Sequence, residues 1–184
     1  MLDITEEFQS RAIQIGVTLA LAGANRLDAV EDLWLALFDH QQSVMTVPLP
    51  VISRDQTWAR RRAAYQSLLA DTDSFLLLAL RADNPIGYAM VHVRAGFDDT
   101  WDTSSRIAEL ESLAVLPDTR GTGLGTLLLD VVDDHLVGLG VTDMRLSVMA
   151  GNDSAHDFYL KRGFVDTLTV MGRHQLPRTP QCGE

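Results

Sequence analysis

The sequence predicts a mixed α/β (α+β) domain in which helices alternate with the strands of a sheet. Short apolar runs of strand length alternate along the chain with segments whose apolar residues recur every three or four positions. Two of the runs, Ser74–Arg81 and Ile86–Arg94, flank Ala82-Asp83-Asn84-Pro85, which reads as a hairpin turn. A further run ends in a turn whose glycines open a helix, from Leu113 to Gly125.

In chain order, the aliphatic stretch Ile13–Ala22 reads as a first strand. Asn25 and Asp28 offer helix starts, and Leu27, Val30, Leu33, Trp34 and Leu37 form an amphipathic stripe. Pro48 and Pro50 break the chain, after which Ser53 can cap a second helix to about Ala70. The hairpin follows, then a polar loop from Ala95 to Ser105 and a strand over Ile107–Leu116 that stops at Pro117. The next helix spans about Gly123 to Leu139, with Leu124, Leu127, Leu128, Val131, Leu136 and Leu139 apolar and Asp130, Asp133 and Asp134 opposite. Asp143–Val148 is strand-like, Ser154–Arg162 helical and Phe164–His174 strand-like again. The order is β, α, α, β, β, β, α, β, α, β. Residues 1–174 read as a single domain, with a flexible tail over 175–184.

A chain of 184 residues, 46% of them hydrophobic, can bury one sizeable core. The net charge of −10 disfavours nucleic acid and anionic membranes as partners and draws cationic small molecules instead. The lone cysteine, Cys182, allows no intrachain disulfide and no thiolate metal cluster. The first residues carry Asp3, Glu6 and Glu7 rather than a basic leader, and no apolar run has the length of a membrane span. A cytoplasmic protein, monomeric or homodimeric, is expected. No histidine pair has metal-ligand spacing with a carboxylate, so no metal is expected. His40 can sit near the substrate or simply suit the end of a helix, His135 suits a satisfied core position, and His92, between Val91 and Val93, should point away from the core. Arg60, Arg61 and Arg62 can meet a phosphate or form a solvated helix face. Phe97 and Trp101 can line a substrate site or cover the core.

The turn Arg120-Gly121-Thr122-Gly123-Leu124-Gly125 has the parts of a phosphate cradle. Glycine admits close backbone approach, a helix start offers unpaired N–H groups, and Arg120 adds positive charge. The P-loop spacing fails because no lysine follows Gly123 or Gly125, and the dinucleotide fingerprint fails because its third glycine falls on Thr126 or Leu128. What fits is Arg-x-x-Gly-x-Gly at Arg120, Gly123 and Gly125. Downstream, Asn152-x-x-Ala155-x-x-Phe158-Tyr159-x-x-x-Gly163-Phe164 contains a helix that Ser154 and Asp157 can open as a capping box and Gly163 can close.

With these two segments in this order, the sequence resembles the GNAT acetyltransferase superfamily over about Ile107 to Phe164. The resemblance implies a mixed six- to seven-stranded sheet that splays at an acetyl-CoA site. It implies that Arg120, Gly121, Thr122, Gly123, Leu124, Gly125 and Thr126 hold the pyrophosphate. Leu113, Ala114 and Val115 would pair with the pantetheine and polarise the thioester carbonyl, with Asn152 and Tyr159 also touching the cofactor. The expected activity is acetyl transfer to a primary amine: a small cationic molecule, a protein lysine or a peptide N-terminus. An acyl-CoA-binding module without turnover and a nucleotide-binding regulator are the rival readings.

Amide formation needs a base for an ammonium of pKa about 10.4 and an acid for the leaving thiolate. Glu109 and Glu111, two apart on one strand, are the candidate bases, with Glu109 ranked first; either can instead face solvent or pair with an arginine. Tyr159 is the candidate acid, or an aromatic packed beside Phe158.

Overall fold

A computed structural model of the chain describes residues 4–47, 49–96 and 104–172. Their elements run α1 (Glu6–Gln14), β1 (Thr18–Ala22), a 3-10 stretch (Ala24–Val30), α2 (Glu31–Val44), α3 (Arg54–Leu68), β2 (Phe75–Arg81), β3 (Asn84–Ala95), β4 (Arg106–Val115), α4 (Leu124–Gly138), β5 (Asp143–Leu146) and α5 (Asp153–Lys161). The strands form one five-stranded sheet in the order β1-β2-β3-β4-β5, antiparallel except for the parallel β4–β5 pair.

The sheet separates two apolar layers. Leu77, Ala89, Val91, Ala108 and Leu110 meet Leu124, Leu127, Leu128, Val131 and Val132 of α4 on one face. Leu76, Leu78, Tyr88, Met90 and Ala114 meet Leu27, Val30, Leu33, Trp34, Trp58 and Tyr65 on the other. Burial on both faces explains why β2 and β3 read as near-continuous apolar runs rather than alternating ones. The hairpin turns at Ala82 and Asp83, with φ of 47° and 67°, the paired left-handed conformation of a tight two-residue connection.

Three expectations are corrected. The first strand covers Thr18–Ala22, and the residues before it form α1. There Ile4, Phe8, Ala12 and Ile15, three or four apart, pack on the α4 layer, and Arg11 reaches Asp130 at 2.6 Å. No strand forms over Phe164–Gly172, so the described sheet has five strands rather than six or seven; Val165, Leu168, Val170 and Met171 are exposed there. His92 is buried, and its Nε2 hydrogen-bonds Asp71 at 2.7 Å, because α3 and the turn after it cover that face of β3. Phe97, Trp101 and the tail over 175–184 lie outside the described residues.

Two features shape β4. The β3–β4 register slips between Met90 and Val91, which pair with Ser112 and Leu110, so Glu111 is the extra residue of a bulge. Leu110 therefore faces α4, whereas Ser112 faces α3 and meets Tyr65. The β4–β5 pairing ends at Leu110–Leu146, while β4 continues to Val115, so the two strands part.

The chain returns from β5 through a turn that abuts the end of α2. Gly151 has φ of 93°, and a Cβ there would collide with the Val44 carbonyl oxygen. Gly151→Ala combines a disfavoured backbone conformation with a backbone clash. It is expected to cost more than about 1 kcal/mol of stability, measured by chemical denaturation, against ~0.4–1 kcal/mol of gain where alanine fits.

Candidate functional site

Where β4 and β5 part, a cleft of about 580 Å³ opens between β4, the glycine turn, α2 and α5. Its β4 wall is Leu113, Ala114 and Val115. Among the described residues no strand lies against this edge of β4 beyond Leu110, which leaves its amide groups available to a ligand. The floor is Thr119, Arg120, Gly121, Gly123, Gly125 and Thr126. Gly123 caps α4 with φ of 88°, and the helix start that follows it carries N–H groups without intrahelical partners. With Arg120 beside them, these groups form an electropositive end that suits phosphate oxygens.

Thr122 and Leu124, also expected at the site, do not line the cleft. The Thr122 hydroxyl donates to the Thr119 carbonyl at 2.7 Å, bracing the turn, and the Leu124 side chain is buried in the core.

The opposite wall is α5, with Asn152, Ser154, Ala155, Phe158 and Tyr159. Asn152, rather than Ser154, caps this helix: its Oδ1 accepts from the Ala155 N–H at 3.3 Å and from the Ser154 hydroxyl at 3.2 Å. Asn152 is buried, and no described residue accepts from its Nδ2. Tyr159 is held edge-on by Phe158 and Phe164, with centroids 5.2 and 5.4 Å away. Burial pushes its phenol up to about 12, so it keeps its proton throughout the neutral range. Leu37 and His40 of α2 complete the cleft. They lie three apart, and Trp34 three before Leu37 packs beneath, so one face of α2 runs from core to cleft. That three-residue spacing was the available sequence signal for His40.

Glu109 and Glu111 lie beyond the cleft on the α3 side of β4. Glu109 accepts from Arg145 of β5 at 2.8 Å, and Arg94 of β3 stands 3.5 Å away, an ion-pair chain across three strands. Glu111, at the bulge, has Arg61 of α3 at 4.0 Å. Burial, then the Glu109 charge, raise the Glu111 carboxyl above its ordinary range, with Arg61 opposing. Beneath it runs a buried hydroxyl chain. Ser112 donates to the Glu111 carbonyl at 2.7 Å, so its oxygen accepts from Tyr65, and Tyr88 donates to Tyr65 at 3.3 Å. Burial raises the pKa of both tyrosines, so both are neutral donors. Sequence reasoning missed this chain and the approach of Arg61, since neither leaves a local pattern.

A relative from Salmonella typhimurium, an aminoalkylphosphonate N-acetyltransferase, is 25% identical over 70% of this chain and 81% of its own. An aminoglycoside 2'-N-acetyltransferase of Mycolicibacterium fortuitum is 33% identical over 45% of this chain, and the match spans 42% of that protein, less than half its length. A protein of Clostridium acetobutylicum described as a predicted acetyltransferase and solved with acetyl-CoA superposes with a TM-score of 0.67 at 16% identity, over 86% of this chain and 96% of that one, a likeness of fold. The family model described as acetyltransferase (GNAT) matches residues 34–164, most of the chain and both walls of the cleft, and this protein belongs to that family.

Proposed function

We propose that the protein transfers an acetyl group from acetyl-CoA to the primary amine of a small molecule. The observation that carries this reading is the parted β4 edge, with the glycine turn at one end and Asn152 and Tyr159 opposite. Both relatives are N-acetyltransferases, one named for aminoglycosides and one for aminoalkylphosphonates, which favours a small-molecule acceptor.

Acetyl-CoA supplies an activated acyl group whose sulfur is the leaving atom. Arg120 and the N–H groups from Gly121 to Thr126 would hold its pyrophosphate, and the open edge at Leu113–Val115 would align its amides and polarise its carbonyl. The Asn152 Nδ2 is free to donate to it. Tyr159 keeps its hydroxyl proton and offers it to the sulfur. For the base, we place Glu111 ahead of Glu109. The Glu109 carboxylate is already engaged by Arg145 and Arg94, whereas Glu111 is partly desolvated, which raises its proton affinity toward the neutral range.

Gly125 tests the cradle without straining the turn, since a Cβ there meets only Phe158, at 3.9 Å. Gly125→Val should melt close to wild type and lose acetyl-CoA affinity in calorimetry; unchanged affinity removes the cofactor assignment.

Glu111→Gln should lower kcat/KM by roughly 10²- to 10⁴-fold, the usual worth of a positioned base. The deficit should shrink toward about pH 10, where an amine deprotonates unaided. In the wild type, kcat/KM should fall as pH drops through the raised Glu111 pKa. A carboxyl with a raised folded pKa stabilises the fold only while protonated, so at neutral pH the glutamine variant should melt no lower than wild type. Glu109→Gln should lose less than about tenfold, as for a partly exposed ion pair. A larger loss at Glu109, diminishing at high pH, reverses the assignment.

Tyr159→Phe removes one hydroxyl and little volume. Acetyl-CoA affinity and melting temperature should hold while single-turnover rates fall, at the low end of roughly 10²–10⁴, because a thiol of pKa about 8.5 is a tolerable leaving group unaided. Undiminished rates make Tyr159 a packing residue.

A further inference from the structure

Three consecutive arginines on α3 have three different surroundings. Arg60 is exposed, and Arg62 hydrogen-bonds both Asp28 oxygens. Arg61 lies over the Trp34 ring at 5.6 Å and the Tyr65 ring at 5.4 Å, with Nη1 4.0 Å from the Glu111 carboxylate. That separation is beyond a hydrogen bond, and no described residue accepts one from Arg61. Two aromatic rings thus flank a guanidinium whose Nη1 stands beside the carboxylate that we assign as the base. Stacking removes much of the freedom that an arginine loses on binding, and the fork matches a carboxylate or phosphonate in two parallel hydrogen bonds.

Charge around the bulge points the same way. The chain carries −10 overall, yet beside Glu111 stand Arg61 and, around Glu109, Arg94 and Arg145. An acceptor with a second ammonium near its nucleophilic nitrogen would set that charge against Arg61. One with an anionic group there would place it on the fork while its amine faces Glu111.

We infer that Arg61 selects the acceptor, and that the acceptor is a primary amine bearing a carboxylate or phosphonate a few bonds from its nitrogen. This rests on the acetyl-transfer reading and on Glu111 as the base.

The test is a panel of β-alanine, 2-aminoethylphosphonate, propylamine and spermidine with acetyl-CoA, read by thiol release. Calorimetry of acetyl-CoA runs alongside. The wild type should prefer an anionic acceptor to propylamine by roughly 10- to 100-fold in kcat/KM, the worth of hydrogen bonds to a charged group. Whether β-alanine or 2-aminoethylphosphonate leads tells carboxylate from phosphonate. Arg61→Met keeps the stem over the rings and removes the fork. It should bring the anionic-to-neutral ratio to about one, mainly through KM, and Arg61→Lys should restore part of it. Propylamine or spermidine used as well as the anionic amines by the wild type overturns the inference, whatever the variants do. So does an equal loss on every acceptor in Arg61→Met. Acetyl-CoA binding with no acceptor in the panel consumed also overturns it and leaves the cofactor reading in place, whereas absence of acetyl-CoA binding removes the proposed function itself.

Discussion

The arrangement depends on one constraint: β4 stays bonded to β3 to its end but loses β5 after Leu110. A strand edge left open inside a fold carries unpaired amides, which water or a ligand must satisfy. Here the opening is flanked by the glycine turn that follows β4 and the helix that follows β5, since both lie beyond the end of the strand pairing. The cleft is therefore a consequence of pairing that stops. Its two walls are set by the chain directions of a single parallel strand pair.

The bulge at Glu111 adds a second asymmetry. Without it, strict alternation would turn Ser112 toward α4, into an apolar layer with no partner for its hydroxyl. With it, Ser112 joins Tyr65 and Tyr88, and three buried hydroxyls are satisfied in one chain that ends on the Glu111 carbonyl. The carboxylate stands on a backbone position held from below, while Arg61 is held from the side by two rings. On this face Arg61 is held by apolar rings, whereas the buried hydroxyls and Glu109 are held by polar partners.

Much of this was legible in the residues. The hairpin, the α4 stripe, the glycine turn and α5 each follow from local periodicity or turn chemistry, and they fell within a few residues of their places. What failed was non-local. Ile13–Ala22 has the composition of a strand, but Phe8, Ala12 and Ile15 find a helical contact with α4 over a hundred residues away. Phe164–Met171 has strand composition, yet no ladder forms for it among the described residues. His92 obeys alternation along β3, but both faces of that strand are covered, so pointing away from one layer means entering the other. The bulge, the hydroxyl chain and the Arg61–Glu111 approach join residues far apart in sequence, and no spacing rule reports them.

Asn152 shows how narrowly a single position can be specified. Its Oδ1 starts α5, its side chain also lines the cleft, and its amide nitrogen has no acceptor among the described residues. Aspartate would start the helix equally well but would put a second acceptor and a negative charge in place of the amide donor. Serine would start it with one hydroxyl oxygen serving both as acceptor and as donor, and alanine would forfeit the helix start at a cost of about 1 kcal/mol. Among side chains that can begin a helix, asparagine alone has separate atoms for both tasks. The amino acid at this position therefore serves the geometry of a secondary structure and sets the polar chemistry of the cleft wall, and a replacement can keep the first while changing the second.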